Sequence, residues 1–114
     1  MKSIVSKPWG SFELLEEKSN YVAKRLIVNS GGILSLQSHM HRSEHWITVQ
    51  GVAEVTIDKK ITTLDLNKSI FVPKGSVHRI SNKRQETLII IEIWYGDNLD
   101  EGDIIRYDDI YNRK

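Results

Sequence analysis

The stretch Gly31 to Gly51, GGILSLQSHMHRSEHWITVQG, sets two apolar-alternating runs on either side of a polar break. Gln37 and His39 are two apart, so a strand over 33–39 points both to one face. Glu44 opens the next run, which continues Trp46-Ile47-Thr48-Val49, and a strand, a turn and a second strand carry it back beside His39. Downstream, Pro73-Lys74-Gly75-Ser76-Val77-His78 brings a second histidine. Two imidazoles, a carboxylate and an amide oxygen make an N/O donor set suited to Zn, Fe, Mn, Ni or Co. The ligand hypothesis is therefore Gln37, His39, Glu44 and His78 around one divalent ion.

Outward from this stretch the pattern is strands throughout. Trp9 to Glu16 reads as an opening strand (9–17) behind Pro8, and Lys18-Ser19-Asn20 as a turn. Tyr21–Asn29 alternates, with Val22, Lys24, Leu26 and Val28 on one face. After Ser30-Gly31-Gly32 come Ile33–His39, Trp46–Gln50, Val52–Asp58, Ile61–Leu66 and Ser69–Val72. Then follow Val77–Asn82 and Glu86–Tyr95, the most apolar of all. The tail, 96–114, is acidic and then mixed, with one helical turn expected over Asp108–Arg113. Short strands with Gly, Asn or Pro at the breaks predict an all-β barrel or sandwich in a single domain, 1–114. A closed barrel provides an interior where inward side chains from different strands meet.

Composition narrows the function. With 16 basic and 15 acidic residues interspersed, the net charge is +1 and there is no long basic block, so neither nucleic acid nor a membrane surface is an expected partner. Cysteine is absent, which removes disulfides and thiolate metal sites. The first ten residues hold no signal-like apolar core and no run spans a bilayer. The expected location is the cytoplasm.

The spacing also carries a resemblance. Gly31, Gln37, His39, Glu44 and Gly51 sit where the first cupin motif places Gly, His, His, Glu and Gly, with Gln37 for the first His (31–51). Pro73, Gly75, His78 and Asn82 match the second motif, with Asn67 in place of its leading Gly (67–82). The chain thus resembles the cupins, which implies a double-stranded β-helix, a jelly-roll-like barrel with a metal inside. More narrowly it resembles the type II phosphomannose isomerases, including the C-terminal domain of bifunctional mannose-1-phosphate guanylyltransferase/mannose-6-phosphate isomerases. The carrying residues are Lys7-Pro8-Trp9-Gly10, Lys24-Arg25, Leu34-Ser35-Leu36-Gln37-x-His39 and Arg42-x-Glu44-His45-Trp46. Val72-Pro73-x-Gly75, Ile91-Glu92, Asp103-Ile104 to Arg106 and Asp109-x-Tyr111 match as well.

The chain departs from that pattern at Ser30 (usually Pro), Trp94 (usually polar), Asp100-Glu101-Gly102-Asp103 and Asn112 (usually Gly). No Gly-rich nucleotidyltransferase half is present, so guanylyl transfer is not expected of this chain. The resemblance implies a mannose-6-phosphate isomerase with a sugar-phosphate substrate, one divalent metal (Zn foremost, then Co, Mn, Ni or Fe) and a homodimer. A separate mannose-1-phosphate guanylyltransferase would share its pathway. Aldose–ketose isomerisation needs a base for the C2 proton and stabilisation of the enediolate oxygens. Glu92, His45 and His41 are base candidates; Glu92 is a carboxylate in an apolar strand, where burial would raise its pKa. An ion pair to Arg42, Lys24 or Arg79 is the structural alternative for Glu92. Arg42 offers a five-donor fork for enediolate or phosphate. Lys74, Arg79 and His41 are further candidates for substrate contact, and the three tryptophans are expected in the core.

Overall fold

The protein, described here by a computed structural model over residues 3–113, forms eleven strands and, among these residues, no helix. They are β1 (Ser3–Lys7), β2 (Gly10–Glu17), β3 (Tyr21–Val28), β4 (Leu36–Ser38), β5 (Arg42–Gln50) and β6 (Ala53–Ile57). Then come β7 (Lys60–Leu64), β8 (Ser69–Val72), β9 (His78–Ser81), β10 (Leu88–Gly96) and β11 (Ile105–Asp108). One antiparallel sheet runs β1-β2-β3-β10-β5-β8 and the other β11-β4-β9-β6-β7, the all-β architecture expected. Among the described residues no helix is long and apolar enough to cross a membrane.

The alternation read in 21–29 is the alternation observed: Val22, Lys24, Leu26 and Val28 are buried and the residues between them half-buried. Strand β10 is central, pairing with β3 on one side and β5 on the other. Its register sorts the interior into two ends. Leu88 lies opposite Val28, and Ile90 lies between Leu26 and Thr48, all fully or almost fully buried. Two residues on, the inward side chains become ionisable: Glu92 lies between Lys24 and Trp46, and Trp94 between Val22 and Glu44. The apolar end joins Trp9, Trp46, Val55, Val72 and Ile80 in one core, each large side chain contributing roughly 1.5–3 kcal/mol by burial. The polar end is where the site lies.

Four elements differ from the expectation. Strand β1 was not anticipated; it pairs along the whole of Ser3–Lys7 with β2, with Ile4 and Val5 exposed, so no burial pattern announces it. The strand expected over 33–39 is regular only over Leu36–Ser38, with Ile33 bridged singly to Ser81. Strand β5 begins at Arg42, four residues before the apolar run, because Arg42 and Glu44 already face inward. The helical turn expected over 108–113 is instead the end of β11 and a tight turn, closed by Asn112 N–H donating to Asp109 O at 2.9 Å.

Two of the departures from the family pattern have a backbone reason. Asn67 and Asn112, both standing where glycine is usual, adopt φ of 66° and 60°. Asparagine is among the few side chains that occupy the left-handed region at small cost.

Candidate metal centre

Three donors converge at the polar end. One ligand atom each from His39, Glu44 and His78 lies within 4.8 Å of the others, and all three residues are buried. Glu44 comes from β5 and His78 from β9, while His39 follows β4 directly, so both sheets build the cluster. His39 Nε2 is 3.3 Å from Glu44 Oε2, and the two imidazole centroids are 4.9 Å apart. Trp46 packs edge-on against His78 at 5.4 Å.

Backbone carbonyls set the imidazoles. His39 Nδ1 donates to Asp103 O at 2.7 Å and His78 Nδ1 to Ser76 O at 3.1 Å. Each ring then presents Nε2 as its acceptor, the nitrogen that can ligate a cation when the other is held by a carbonyl; in His39 it accepts from Arg42. Burial lowers both imidazole pKa values, that of His39 to about 4, so both are neutral near pH 7. Burial alone would raise Glu44, but the Arg42 guanidinium, the two histidines and the Trp46 indole hold it below the usual carboxylate range. Arg42 Nε donates to Glu44 Oε2 at 2.8 Å, Arg42 Nη2 to His39 Nε2 at 3.1 Å, and Trp46 Nε1 to Glu44 Oε1 at 2.9 Å.

Gln37 lies opposite His78 in the β4–β9 register, and its amide nitrogen donates to Ser35 Oγ (2.9 Å) and Ser35 O (3.3 Å). That leaves the amide oxygen, its metal-compatible end, for another partner. Two neutral imidazoles, an ionised carboxylate and an amide oxygen fit a divalent ion of the Zn, Fe, Mn, Ni and Co group.

The cluster opens into a cavity of about 180 Å³ lined also by Arg42, Arg79 and Glu92. Glu92 is 6% exposed; Trp94 Nε1 donates to its Oε1 at 2.6 Å. Burial, followed by the nearby negative charge of Glu44, raises its pKa to about 8, against the pull of Lys24 and Arg42. The ion pair considered for it is not made: Arg42 pairs with Glu44, Lys24 with Glu101 and Arg79 with Asp108.

Three of the sequence candidates lie elsewhere. His45 is on the outer face of β5, its ring tilted against Phe71 with centroids 4.8 Å apart, because strand parity opposes it to Glu44 and Trp46. Lys74 and His41 are exposed and line no wall of the cavity. Arg79 does line it, although its Nε and Nη2 are spent on Leu34 O and Asp108. Conversely, Lys24, Arg106 and Arg113, none of them a site candidate in the sequence, all line the cavity. Lys24 had a signal: it is the one charge on the inward face of β3. Trp9, Trp46 and Trp94 are buried as expected, and Trp94 also walls the cavity, with Arg42 Cζ 3.3 Å from its ring centroid.

A family model described as mannose-6-phosphate isomerase C-terminal matches residues 1–109. The alginate biosynthesis protein AlgA of Pseudomonas syringae is 45% identical over 109 residues, covering 96% of this chain and 23% of the relative. A mannose-1-phosphate guanylyltransferase of Sinorhizobium fredii is 45% identical over 103 residues, 90% of this chain and 20% of its own length. The xanthan biosynthesis protein XanB of Xanthomonas campestris is 41% identical over 109 residues, with 96% and 23% covered. The chain therefore spans about a fifth to a quarter of these relatives. Among solved structures, an RmlC-like cupin from Shewanella frigidimarina superposes with a TM-score of 0.76 at 20% identity over 87% of each chain. The Lactobacillus farciminis oxalate decarboxylase formate complex gives 0.80 at 19% identity, over 93% of this chain and 33% of that one. The shared fold is the cupin double-stranded β-helix.

Proposed function

We propose that this chain, which belongs to the mannose-6-phosphate isomerase C-terminal family, holds one divalent metal on Gln37, His39, Glu44 and His78. With it the chain interconverts mannose 6-phosphate and fructose 6-phosphate, feeding nucleotide-sugar synthesis for polysaccharide. The observation that carries this reading is the buried donor cluster opening onto a cavity with six basic and three acidic side chains in its walls. Such a lining suits a polar, anionic substrate. When bound, the metal supplies Lewis-acid stabilisation of negative charge on the sugar oxygens. Glu92, the buried carboxylate facing the same cavity, takes the proton from C2 and returns it to C1. Arg42, whose Nη1 is buried without a hydrogen-bond partner, has a donor to offer the enediolate or the phosphate. Arg79 borders the substrate; Lys74, His41 and His45, away from the cavity, have no support for a direct role.

The proposal includes a homodimer in the cytoplasm, with a separate mannose-1-phosphate guanylyltransferase in the same pathway. Its test is an isomerase assay on mannose 6-phosphate after metal stripping and reconstitution with Zn, Co, Mn, Ni or Fe in turn, with His39→Ala as control. Stoichiometric metal binding without turnover would overturn it.

One observation favours a second reading, a sugar-phosphate-binding cupin without catalysis. The Trp94 indole, in a place usually polar, engages Glu92 by hydrogen bond and both Lys24 and Arg42 by cation–π contact. Tight sugar-phosphate binding with no exchange of C2 deuterium would favour that reading over the isomerase.

A further inference from the structure

Lys24 is 3% exposed, and its surroundings are unusual for an ammonium group. Its Nζ lies 3.7 Å from the Trp94 ring centroid and 4.2 Å from that of Phe12, so two aromatic faces stand where water would be. A buried ammonium needs a counterion. Glu92 lies directly across from it on β10, yet the ion pair of Lys24 goes to Glu101, whose side chain is 64% exposed. Glu101 stands in a tight turn closed by Asp103 N–H to Asp100 O (3.0 Å) and Gly102 N–H to Asp100 Oδ1 (2.9 Å). That turn is anchored beside the metal ligands, where the Asp103 carboxylate accepts from Met40 N–H (3.0 Å) and His41 N–H (2.9 Å).

A buried cation paired with a solvent-facing carboxylate is an exchangeable pair. Lys24 and Glu101 both line the metal-side cavity, and both line a second, outer cavity of about 370 Å³ between the β1–β2 hairpin and the 97–104 segment. Lys7, Phe12 and Trp94 border both cavities as well, so the Lys24–Glu101 contact stands where the two cavities adjoin. Deeper in, the Arg42 guanidinium lies against the same indole as Lys24 and holds the unpartnered Nη1.

We propose that Lys24 is the anchoring cation for the phosphate group of the substrate, and that Glu101 is a place-holding anion which the phosphate displaces on entry. The proposal rests on the sugar-phosphate reading above and adds to it the residue that recognises the anionic group. A phosphate monoester carries more charge than one carboxylate and offers three acceptor oxygens, so it outcompetes Glu101 for the ammonium. The displaced carboxylate is free to return to water, where it already largely lies.

The test uses Glu101→Gln and Lys24→Met. Titration calorimetry with inorganic phosphate on chelator-treated protein reads the subsite without metal–phosphate contacts, and steady-state kinetics on the metal-loaded protein reads mannose 6-phosphate. Glu101→Gln is expected to tighten phosphate binding and lower KM by about 5- to 10-fold, because the competing anion is gone. Lys24→Met is expected to weaken both by about 10- to 100-fold with kcat changed only a few-fold. Because Glu101 is a surface side chain, its substitution keeps the test sound even if Lys24→Met folds poorly. Phosphate affinity and KM both indifferent to Glu101→Gln would overturn the proposal, as would Lys24→Met lowering kcat with KM untouched. If phosphate binding responds as expected but mannose 6-phosphate is not turned over, the isomerase reading falls and the anion subsite stands. With turnover intact and phosphate binding unmoved by either variant, the reverse holds.

Discussion

Glu44-His45-Trp46 on β5 and Glu92-Ile93-Trp94 on β10 are the same Glu-x-Trp pattern on neighbouring antiparallel strands, with each Glu opposite the other strand's Trp. Each carboxylate accepts from the indole two residues on, at 2.9 and 2.6 Å. Both residues are almost wholly buried, at 3% and 6% exposure. Yet Glu44 is held below the ordinary carboxylate range, while burial drives Glu92 up to about 8. Burial and the indole bond are common to both, so neither makes the difference. What differs is Arg42, 2.8 Å from Glu44, with two imidazoles beyond it, whereas the cation nearest Glu92 in register is committed to Glu101. A carboxylate kept ionised suits a ligand; one poised near neutrality suits a base.

The largest expected effect comes from removing the cation that separates the two. Arg42→Met leaves Glu44 buried without its ion-pair partner and should cost about 3–5 kcal/mol in urea unfolding. The Glu44 carboxyl should rise toward the behaviour of Glu92 in a carbon-detected NMR titration. A Glu44 titration that stays low in Arg42→Met would show that the histidines and Trp46 suffice, and the contrast would then lie elsewhere.

Next comes Glu92→Gln, which keeps an acceptor for the Trp94 indole while removing the proposed base. Turnover of mannose 6-phosphate should fall by about 10²- to 10⁴-fold, with metal content unchanged by elemental analysis. In the parent protein kcat should rise with pH as Glu92 ionises through about 8.

Stability against pH separates the pair by sign. Glu92 is raised above its unfolded value of 4.5, so the fold binds its proton more tightly than the unfolded chain does. Its contribution to stability is full below 4.5 and is lost as pH climbs to about 8, and Glu92→Gln should flatten that slope. His39 works from the other side. Neutral in the fold with a pKa of about 4 against 6.5 unfolded, it makes the metal-free protein lose stability as pH falls from 6.5 toward 4. Urea midpoints across pH 4 to 9 measure both slopes.

The smallest effects belong to the indoles. Trp94→Phe removes the hydrogen bond that lowers Glu92 and should push its carboxyl higher still, shifting the alkaline rise of kcat upward at a stability cost of about 1 kcal/mol beyond packing. An unshifted profile would mean that another group is the base.

Much of this was readable from the residues alone where one face of a strand is buried. The alternation of 21–28 and the positions of His39, Glu44 and His78 survive into the structure because burial writes a period of two into the sequence. Strands β1 and β11 left no such trace. Ile4, Val5, Ile105 and Tyr107 are exposed, and these edge strands are held by backbone pairing, which any side chain permits. That is also why Arg106 was hidden: its place on the cavity wall depends on a strand no pattern marks. The parity that carries Glu44 and Trp46 inward was itself enough to send His45 outward, a consequence of alternation that the sequence reading did not draw. The pairing of Lys24 with Glu101 spans 77 positions, beyond the reach of any local signal.

The hydrogen bond from His39 to the carbonyl of Asp103 joins residues 64 apart in the chain. During translation the histidine is made long before the oxygen that selects its tautomer. A nascent chain already carrying His39, Glu44 and His78 thus has the donors but lacks the group that orients the first of them. The proposed ion site can therefore take its final geometry only after the loop that carries Asp103 has been made.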